Sequence, residues 1–272
     1  EVIVENTLQG KFLLSGIFTT FTGISVGKDK FINNGAFPKR VVRHPITYFP
    51  FIPGSTLRGA VRWITEKRLH NGKKHEMDQD SYKSCHICQI FGIPHQKNNS
   101  SDFVLPGRLI FRDSYLTNES LTNLQKINQK SDITETKVCV NFDRITCQGN
   151  SYGIEQIPAG AYFQFTIFFA VYRDNDLNFF RELLESLKSL ENSSLGSHGS
   201  RGLGKICFGK WVLDDSNCIK NELESGISLK WRSKGYYEGT TQETSLINLN
   251  EKVGIQGIID KFDEITKAIG AA

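Results

Sequence analysis

The chain contains 272 residues, of which 39% are hydrophobic, and its formal net charge is +4. A chain of this length and hydrophobicity can bury a sizeable core, which favours one elaborated domain with insertions over two large domains. The small net charge excludes a uniformly basic surface, so an anionic partner would have to bind local clusters of lysine and arginine.

The cysteines and the apolar segments bear on the compartment in which the protein works. Six cysteines, two of which form a CxxC pair, do not resemble the disulfide framework of a secreted domain. The sequence contains no recognisable signal peptide or membrane-spanning stretch. We therefore expect a soluble, cytoplasmic protein with no membrane partner. Because the chain begins at Glu1 without a methionine, we also expect it to be trimmed or cut from a longer polypeptide.

The first predicted elements are a strand and a helix separated by a polar loop. Residues 11–21, KFLLSGIFTTF, are rich in Phe, Ile and Thr, which is typical of a buried strand. The loop extends to Pro53, and a helix is predicted to begin at Ser55, a good N-cap residue. Arg58 and Arg62 share one face of this helix. Another face carries apolar residues at helical spacing: Leu57, Ala60, Val61 and Ile64.

The following predicted elements are separated by two polar insertions. Residues 70–106 form the first insertion and contain the CxxC pair, and residues 107–116, GRLIFRDSYL, are predicted as a second strand. The second insertion contains KVCVNFDRIT, whose alternating apolar residues predict an extended hairpin. The remaining predicted elements are a strand at 159–172, an amphipathic helix at 175–191 and a strand at 205–213.

This order of strand, helix, strand, strand, helix and strand predicts an α+β, ferredoxin-like fold. We assign the core to residues 8–213, with insertions at roughly 22–53, 70–106 and 117–158. Residues 214–272 are predicted to form a C-terminal extension. It ends in an amphipathic helix whose apolar residues are Ile255, Ile258, Ile259, Phe262, Ile265 and Ile269.

Two glycine-containing loops, each joined to one predicted helix, have the composition of phosphate-binding loops. Gly54 adjoins the N-terminus of the first helix, where anions are favoured, and Arg58 and Arg62 could add charge-assisted contacts. The second loop, LGSHGSRGLGK at 195–205, combines glycines that tolerate positive φ with basic residues. Each loop alone is more typical of an ordinary helix cap or chain connection, whereas the two together favour phosphate binding.

The CxxC pair, Cys85 and Cys88, has the spacing of one half of a structural zinc site. Possible partners are His70, His75, His86 and His95, of which His70 and His75 are the candidates for the two remaining ligands. Because the sequence contains no second CxxC, a small zinc-binding insertion and two free thiols on a loop remain alternatives. Catalytic zinc is disfavoured, since no glutamate pattern of a metallohydrolase lies nearby.

Five segments, taken in chain order, resemble the RAMP superfamily of CRISPR RNA-binding proteins. They are GAFPKRVVRHPITYFPFIPGSTLRGAVR, GRLIFRDSYL, TETKVCVNFDRIT, IPAGAYFQF and LGSHGSRGLGKICF. The likeness covers roughly residues 8–213 and is greatest to the backbone subunit of type III CRISPR effector complexes. It implies a fold like an RNA recognition motif, copies stacked along a guide RNA, and a hairpin "thumb" that interrupts the guide–target duplex at regular intervals.

The resemblance also implies partners and contact residues. The partners are a CRISPR guide RNA, a target RNA and other subunits of a type III effector complex. The thumb would be the hairpin at 132–147. Together with the neighbouring basic run, the predicted RNA-binding residues are Lys39, Arg40, Arg43, Ser55, Thr56, Arg58, Arg62, Lys137, Arg144, His198, Ser200, Arg201 and Lys205. Contacts to phosphates would make the affinity salt-dependent and largely independent of base sequence.

The resemblance bears on cleavage as well. Cleaving members of the family have an aspartate three positions after a glycine, shortly before the Pro-Gly-Ser helix entry. A gapless comparison places that position at Pro38, which has no carboxylate to orient a metal ion or activate a 2′-hydroxyl. We therefore favour a subunit that holds RNA without cutting it. If the chain does cut its target, Asp29 is the candidate catalytic residue, acting with a divalent metal.

Two further alternatives remain open at this point. One is a metal-independent ribonuclease that matures the guide precursor with His44 or His198. The other is a ferredoxin-like protein that binds a small ligand or a nucleotide.

Overall fold

The computed structural model describes residues 7–27, 41–69, 85–93, 106–128, 133–212, 222–239 and 243–270. Within these ranges the chain forms a mixed α and β fold built on an antiparallel sheet. The strands are β1 (Gly10–Thr20), β2 (Phe51–Ile52), β3 (Leu109–Phe111), β4 (Ser114–Leu116), β5 (Glu135–Phe142), β6 (Gly149–Gln156), β7 (Tyr162–Val171), β8 (Ile206–Phe208), β9 (Lys210–Val212), β10 (Glu222–Ser225), β11 (Ile227–Ser233) and β12 (Thr244–Ile247). The helices are α1 (Gly54–Leu69), α2 (His86–Phe91), α3 (Asn118–Asn128), α4 (Asp176–Glu191), α5 (Lys234–Tyr237), α6 (Ile255–Asp260) and α7 (Phe262–Gly270). None of the helices in these ranges is long and apolar enough to span a bilayer.

The large sheet is centred on β1 and β7, which pair along almost their whole length. Its strand order is β12-β11-β1-β7-β4-β2, with β3 also paired to β7 and β8 also paired to β1. On its other edge, β1 pairs first with β11 and then with β8. The strand predicted at 11–21 is confirmed as β1. Most of its apolar side chains are buried because strands flank it on both sides and helices cover one face.

Helices α1 and α4 carry the core on that covered face. Phe12 of β1 stacks on Phe180 of α4, with ring centroids 4.1 Å apart. The helical spacing of both predicted apolar faces is confirmed. Burying each large apolar side chain of these faces contributes roughly 1.5–3 kcal/mol to the stability of the fold. The buried residues are Leu57, Val61 and Ile64 on α1 and Phe180, Leu183, Leu184, Leu187 and Leu190 on α4.

The C-terminal segment shares this sheet and this core. β11 pairs with β1, and β12 extends the sheet beyond it. The terminal apolar pattern forms two helices, α6 and α7, with Lys261 between them. Ile255, Ile258, Phe262 and Ile265 are buried. The ring centroid of Phe262 lies 6.4 Å from that of Phe180, so the extension covers α4.

The segment predicted as one strand at 107–116 forms two, β3 and β4. Phe111 lies opposite Ile167 of β7, whereas Tyr115 lies opposite Gln164. Four steps along one strand thus match three along the other, which accommodates one extra residue as a β-bulge. The bulge includes Asp113, and it re-aims that side chain towards the start of α1.

Three other differences from the sequence prediction concern the connections. The strand predicted at 205–213 turns at Gly209, after which β9 pairs with β10 in a separate two-stranded sheet. Helix α3 lies inside the predicted insertion at 117–158, and the side chain of Thr117 caps it by accepting the N–H of Ser120 at 3.2 Å. The predicted hairpin is confirmed but is longer, because β6 continues to Gln156.

Candidate nucleic-acid interface

The entry to α1 is closed by a side chain of the same molecule. The N–H of Gly54 donates to Oδ1 of Asp113 at 2.8 Å, so a carboxylate occupies the place where a phosphate was expected. A Cβ at Gly54 would overlap the carbonyl oxygen of Phe111, which explains the glycine. The helix therefore begins at Gly54, and Ser55 is its exposed second residue and not its N-cap. Thr56 donates its N–H to the carbonyl of Pro53 at 2.9 Å.

Arg58 and Arg62 share a face of α1, as predicted, and that face contacts α2. A guanidinium N–H of Arg58 donates to the carbonyl of Phe91 at 2.8 Å, and Arg62 pairs with Glu66 at 2.9 Å. Both guanidinium groups lie over the Phe91 ring, at 5.6 and 6.0 Å from its centroid. Burial, and then the charge of Arg62, lower the pKa of Arg58, which nonetheless remains a cation. Part of this basic face is thus used to attach α2.

Arg43 joins the predicted basic run to the root of the hairpin. Its guanidinium pairs with Glu155 of β6 at 2.5 Å and donates to Thr134 at 2.8 Å. A second N–H donates to the carbonyl of Tyr48 at 3.2 Å. The neighbouring predicted contacts Lys39 and Arg40 lie outside the described residues, as do Asp29 and Pro38.

The β5–β6 hairpin is a two-stranded ribbon with an unusual amount of exposed apolar surface. Val138, Val140, Phe142 and Ile145 are 69%, 64%, 58% and 93% exposed. The predicted contacts Lys137 and Arg144 are also exposed. At the tip, Asp143 accepts the N–H groups of Ile145 and Thr146, at 2.8 and 3.3 Å, which lowers the pKa of its carboxyl. The tip is therefore a defined turn.

Backbone hydrogen bonds support the 195–205 loop. Gly196, His198, Gly202 and Gly204 adopt positive φ, of 89, 63, 85 and 83°. Gly204 donates its N–H to the carbonyl of Gly23 at 2.9 Å, and its own carbonyl accepts from Leu195 at 2.8 Å. A Cβ at Gly204 would overlap the Leu195 carbonyl oxygen, so glycine is required there. This built loop leaves Ser200, Arg201 and Lys205 exposed.

The loop and the hairpin meet beyond the C-terminal end of β1. Arg201 donates to the hydroxyl of Tyr152 at 2.8 Å. Between the two elements lies a cleft of about 430 Å³, large enough for a nucleotide-sized ligand. Its lining offers amide, phenol, imidazole and guanidinium groups, which suit hydrogen bonds to bases, stacking and phosphate contact. The lining residues are Asn141, Asn150, Tyr152, Gly153, Ile154, His198 and Arg201.

Of the residues that line this cleft, the sequence predicted His198 and Arg201 but not the five hairpin residues, three of which have polar side chains. Asn141 and Asn150 are cross-strand neighbours, and Tyr152 lies opposite Cys139. The available signal was the alternation along KVCVNF, in which Asn141 falls between two exposed apolar residues. It could not be used fully because the second strand of the hairpin was not recognised.

The two histidines considered as ribonuclease bases make local contacts. Nδ1 of His44 lies 3.4 and 3.3 Å from the N–H nitrogens of Ile46 and Thr47, so it caps a turn. Its ring packs edge-on against Tyr115 at 5.8 Å. Nδ1 of His198 lies 2.9 Å from the hydroxyl oxygen of Ser197.

The CxxC residues lie in the core. Cys85 caps α2, with its Sγ accepting the N–H of Cys88 at 3.5 Å, and both side chains are buried. Burial, and then the neighbouring Cys85, raise the pKa of Cys88 to about 12. His70 and His75 lie outside the described residues, and the described part of the chain contains no cluster of three or more metal-binding side chains. A zinc site at Cys85 and Cys88 stays a prediction.

Comparisons with known proteins agree with this architecture. The chain is 33% identical to the CRISPR system Cms endoribonuclease Csm3 of Methanocaldococcus jannaschii, over 96% of this chain and 97% of that protein. The protein of the same name from Streptococcus thermophilus is 35% identical over 70% of this chain and 83% of its own length.

Two solved structures are similar over nearly the whole chain. One is a chain of the Csm3–Csm4 subcomplex in the type III-A CRISPR-Cas interference complex, with 26% identity, a TM-score of 0.57 and coverage of 95% and 97% of the two chains. The other is Methanopyrus kandleri Csm3, with 16% identity, a TM-score of 0.63 and coverage of 96% and 98%, which supports the fold alone. The family model described as the RAMP superfamily matches residues 17–207. The chain therefore belongs to the RAMP superfamily and, within it, to the family of the Csm3 proteins.

Proposed function

We propose that this chain is a backbone subunit of a type III CRISPR effector complex that holds a guide–target RNA duplex without cutting it. The relatives bear the name of a CRISPR-system endoribonuclease, and a similar chain was solved in a Csm3–Csm4 subcomplex of a type III-A interference complex. The partners are accordingly guide RNA, target RNA and other subunits of such a complex in the cytoplasm. The observation that carries the proposal is the cleft between the hairpin and the 195–205 loop.

The sheet order supports the finer reading of the core as ferredoxin-like. In that fold a β-α-β-β-α-β chain forms an antiparallel sheet in which the first and third strands are central. Here β1, α1, β3, β7, α4 and β8 follow in that order along the chain. β1 and β7 are central, β3 pairs with β7 and β8 pairs with β1.

The loop residues supply the sequence-independent part of RNA binding. Arg201 and Lys205 are exposed cations on a backbone whose shape is fixed by Gly204. Cations on phosphates give an affinity that depends on salt and hardly on base sequence, as a carrier of arbitrary guides requires.

The hairpin supplies the element that interrupts the duplex. Apolar side chains exposed on an isolated ribbon mark an interaction surface, and apolar wedges inserted between bases unstack nucleic acids. Phe142 and Ile145 are the candidate wedge residues at the tip, and Arg144 beside them can contact a phosphate.

The proposal that the chain does not cut rests on Pro38, which stands where the cleaving pattern has an aspartate. The competing function is target cleavage, which the names of the relatives support. It would require another carboxylate, for which Asp29 is the candidate.

A single assay separates these functions. The chain is mixed with a synthetic guide RNA annealed to a labelled target, with Mg²⁺ or Mn²⁺ present, and both binding and target length are measured. We expect salt-dependent binding and an intact target. Metal-dependent cleavage that Asp29→Ala abolishes would establish the endoribonuclease instead. Tight binding of a mononucleotide with indifference to the long duplex would favour a nucleotide-binding protein and overturn both.

A further inference from the structure

The direction of the β5–β6 hairpin depends on a few contacts at its root. β5 and β6 pair with each other in a separate two-stranded sheet. At the root, Ile157 and Ile24 exchange backbone hydrogen bonds of 2.9 and 2.8 Å. A two-stranded ribbon has little independent stability in water, so its orientation is set by such contacts and by nearby side chains.

Glu155 of β6 accepts three further hydrogen bonds at this root. Its Oε1 accepts from Arg43 at 2.5 Å and from Thr134 at 2.8 Å, and its Oε2 accepts the N–H of Val41 at 2.8 Å. The residue is only 9% exposed. The three donors neutralise and solvate a carboxylate that would otherwise be costly to bury.

Two of these donors, Val41 and Arg43, tie the hairpin to the loop that precedes α1. Arg43 also donates to the carbonyl of Tyr48, a non-glycine residue at a φ of 58°, so the same guanidinium fixes the tip of that loop. Val41 is the first described residue after the segment that contains Pro38. Glu155 thus connects the hairpin root to the start of the described loop at 41–50 and, through Arg43, to Tyr48 at its tip.

Stability alone does not explain why a charged residue stands at position 155. A buried ion pair adds little to stability over a well-packed apolar pair, and its better-attested use is to specify one geometry. A carboxylate near a polyanion is also unfavourable unless a cation screens it, which Arg43 does here.

We propose that Glu155 is a positioning residue that acts through Arg43 to fix the hairpin in one direction, so that its tip enters the guide–target duplex at a constant place. The RNA part of this inference rests on the proposed function. The coupling of hairpin and loop is a property of the chain itself and is testable without RNA.

The first experiment measures hairpin mobility in the full-length protein without RNA. A nitroxide is attached to Cys147, an exposed free cysteine next to the tip, and Cys147→Ser identifies signal from other cysteines. Glu155→Gln keeps the shape and loses the charge, and we expect it to increase the mobile fraction about tenfold. Arg43→Lys, which keeps the charge and loses the planar fork, should act in the same direction. Unchanged spectra in both folded variants would overturn the proposal.

The second experiment uses a guide–target duplex and maps the chemical reactivity of unpaired target bases. In the unmodified protein we expect sharply reactive positions at regular intervals. Glu155→Gln should leave the affinity unchanged and reduce the contrast between reactive and protected bases about tenfold. Glu155→Asp, which keeps the carboxylate, should retain more of the contrast than Glu155→Gln. A role in shape alone would give the reverse order, since Gln keeps the length of the side chain and Asp does not.

The outcomes separate the two proposals. If the unmodified protein binds no duplex or gives no periodic pattern, the proposed function fails, while the nitroxide data still decide the coupling. If the pattern is present and Glu155→Gln leaves it sharp, the positioning role fails and the proposed function stands.

Discussion

The two glycine-containing loops, equivalent as sequence motifs, differ in what their polar groups contact. At the entry to α1, Asp113 takes the N–H of Gly54, and the carbonyl of Phe91 takes a donor of Arg58. At the 195–205 loop, Arg201 donates to the neutral hydroxyl of Tyr152, and Lys205 is exposed.

The difference shows that a cation in a sequence motif can bind a ligand only if residues of the same chain do not already occupy its hydrogen-bonding groups. The groups that occupy the α1 entry come from β-bulge and α2 residues tens of positions away in the chain. The contacts that residues 21–25 make with the loop at 195–205 are mostly to its backbone, and the side chains of Arg201 and Lys205 stay exposed, which leaves these cations for a partner. We therefore expect RNA to depend more on the second loop than on the first.

The largest effect is expected from disturbing the shape of the second loop. Gly204→Ala would place a Cβ against the Leu195 carbonyl at positive φ, and we expect a loss of about 3 kcal/mol in the free energy of unfolding. Urea denaturation measures this loss, and RNA binding should weaken in parallel because the loop must rearrange.

Gly202→Ala is the matched control for this substitution. Gly202 has nearly the same φ, 85°, but the space around its missing Cβ is open. The cost should be limited to the left-handed backbone, about 1 kcal/mol. Equal losses at both positions would show that the close approach at Gly204 does not matter.

The next effect concerns the exposed cations of the same loop. Arg201→Glu combined with Lys205→Glu should weaken binding of a guide–target duplex about 30-fold and reduce the salt slope by about 2. Stability should hardly change because both side chains are exposed. Filter binding at several salt concentrations measures both quantities.

Lys261→Glu combined with Lys267→Glu serves as the control for net charge, since it changes the charge by the same amount and both lysines are exposed, one between α6 and α7 and one on α7. A comparable loss of affinity in this variant would mean that total charge, and not the loop, governs binding.

A smaller effect is expected at the α1 entry. Arg58→Ala removes the bond to the Phe91 carbonyl and should lower the free energy of unfolding by about 1 kcal/mol. Its effect on RNA affinity should be smaller than that of the loop pair. Arg181→Ala on α4 is the comparison. Arg181 is half-exposed and paired with Glu185, so its loss should lower the free energy of unfolding by only about 0.3–0.5 kcal/mol. A large loss of affinity without a loss of stability in Arg58→Ala would reverse our ranking of the two loops.

What the sequence could predict follows from which interactions are local. Periodicity identified α1 and α4 because buried residues such as Leu57 and Leu187 recur at helical spacing. Composition identified β1, because a strand flanked by strands on both sides is apolar along most of its length. Helix α3 was not predicted, although Thr117 caps it and Leu124 is buried. Its apolar face is short and the residues around it are polar, so its helical spacing is hard to detect in the sequence.

The site was predicted only in part for the same reason. Positive φ in the 195–205 loop follows from its glycines. The pairing of Arg43 with Glu155 and the closure of α1 by Asp113 join residues 112 and 59 positions apart, and no local pattern contains such pairs. A sequence motif could therefore locate the basic groups but not their acidic or carbonyl partners.

The smallest predicted effect concerns Asp143 at the tip of the β5–β6 hairpin. Backbone N–H groups of Ile145 and Thr146 lower the pKa of Asp143, so the folded turn prefers the ionised carboxylate. A depressed folded-state pKa stabilises the turn above the ordinary pKa of aspartate, about 3.9, and this contribution is lost as the pH falls through the folded value. The amide proton shifts of Ile145 and Thr146 should therefore be constant near neutral pH and move only in acid. Asp143→Asn keeps the acceptor oxygen without the charge and should abolish that titration. If the titration persists in this variant, another group causes it, and Asp143 does not anchor the tip as a carboxylate.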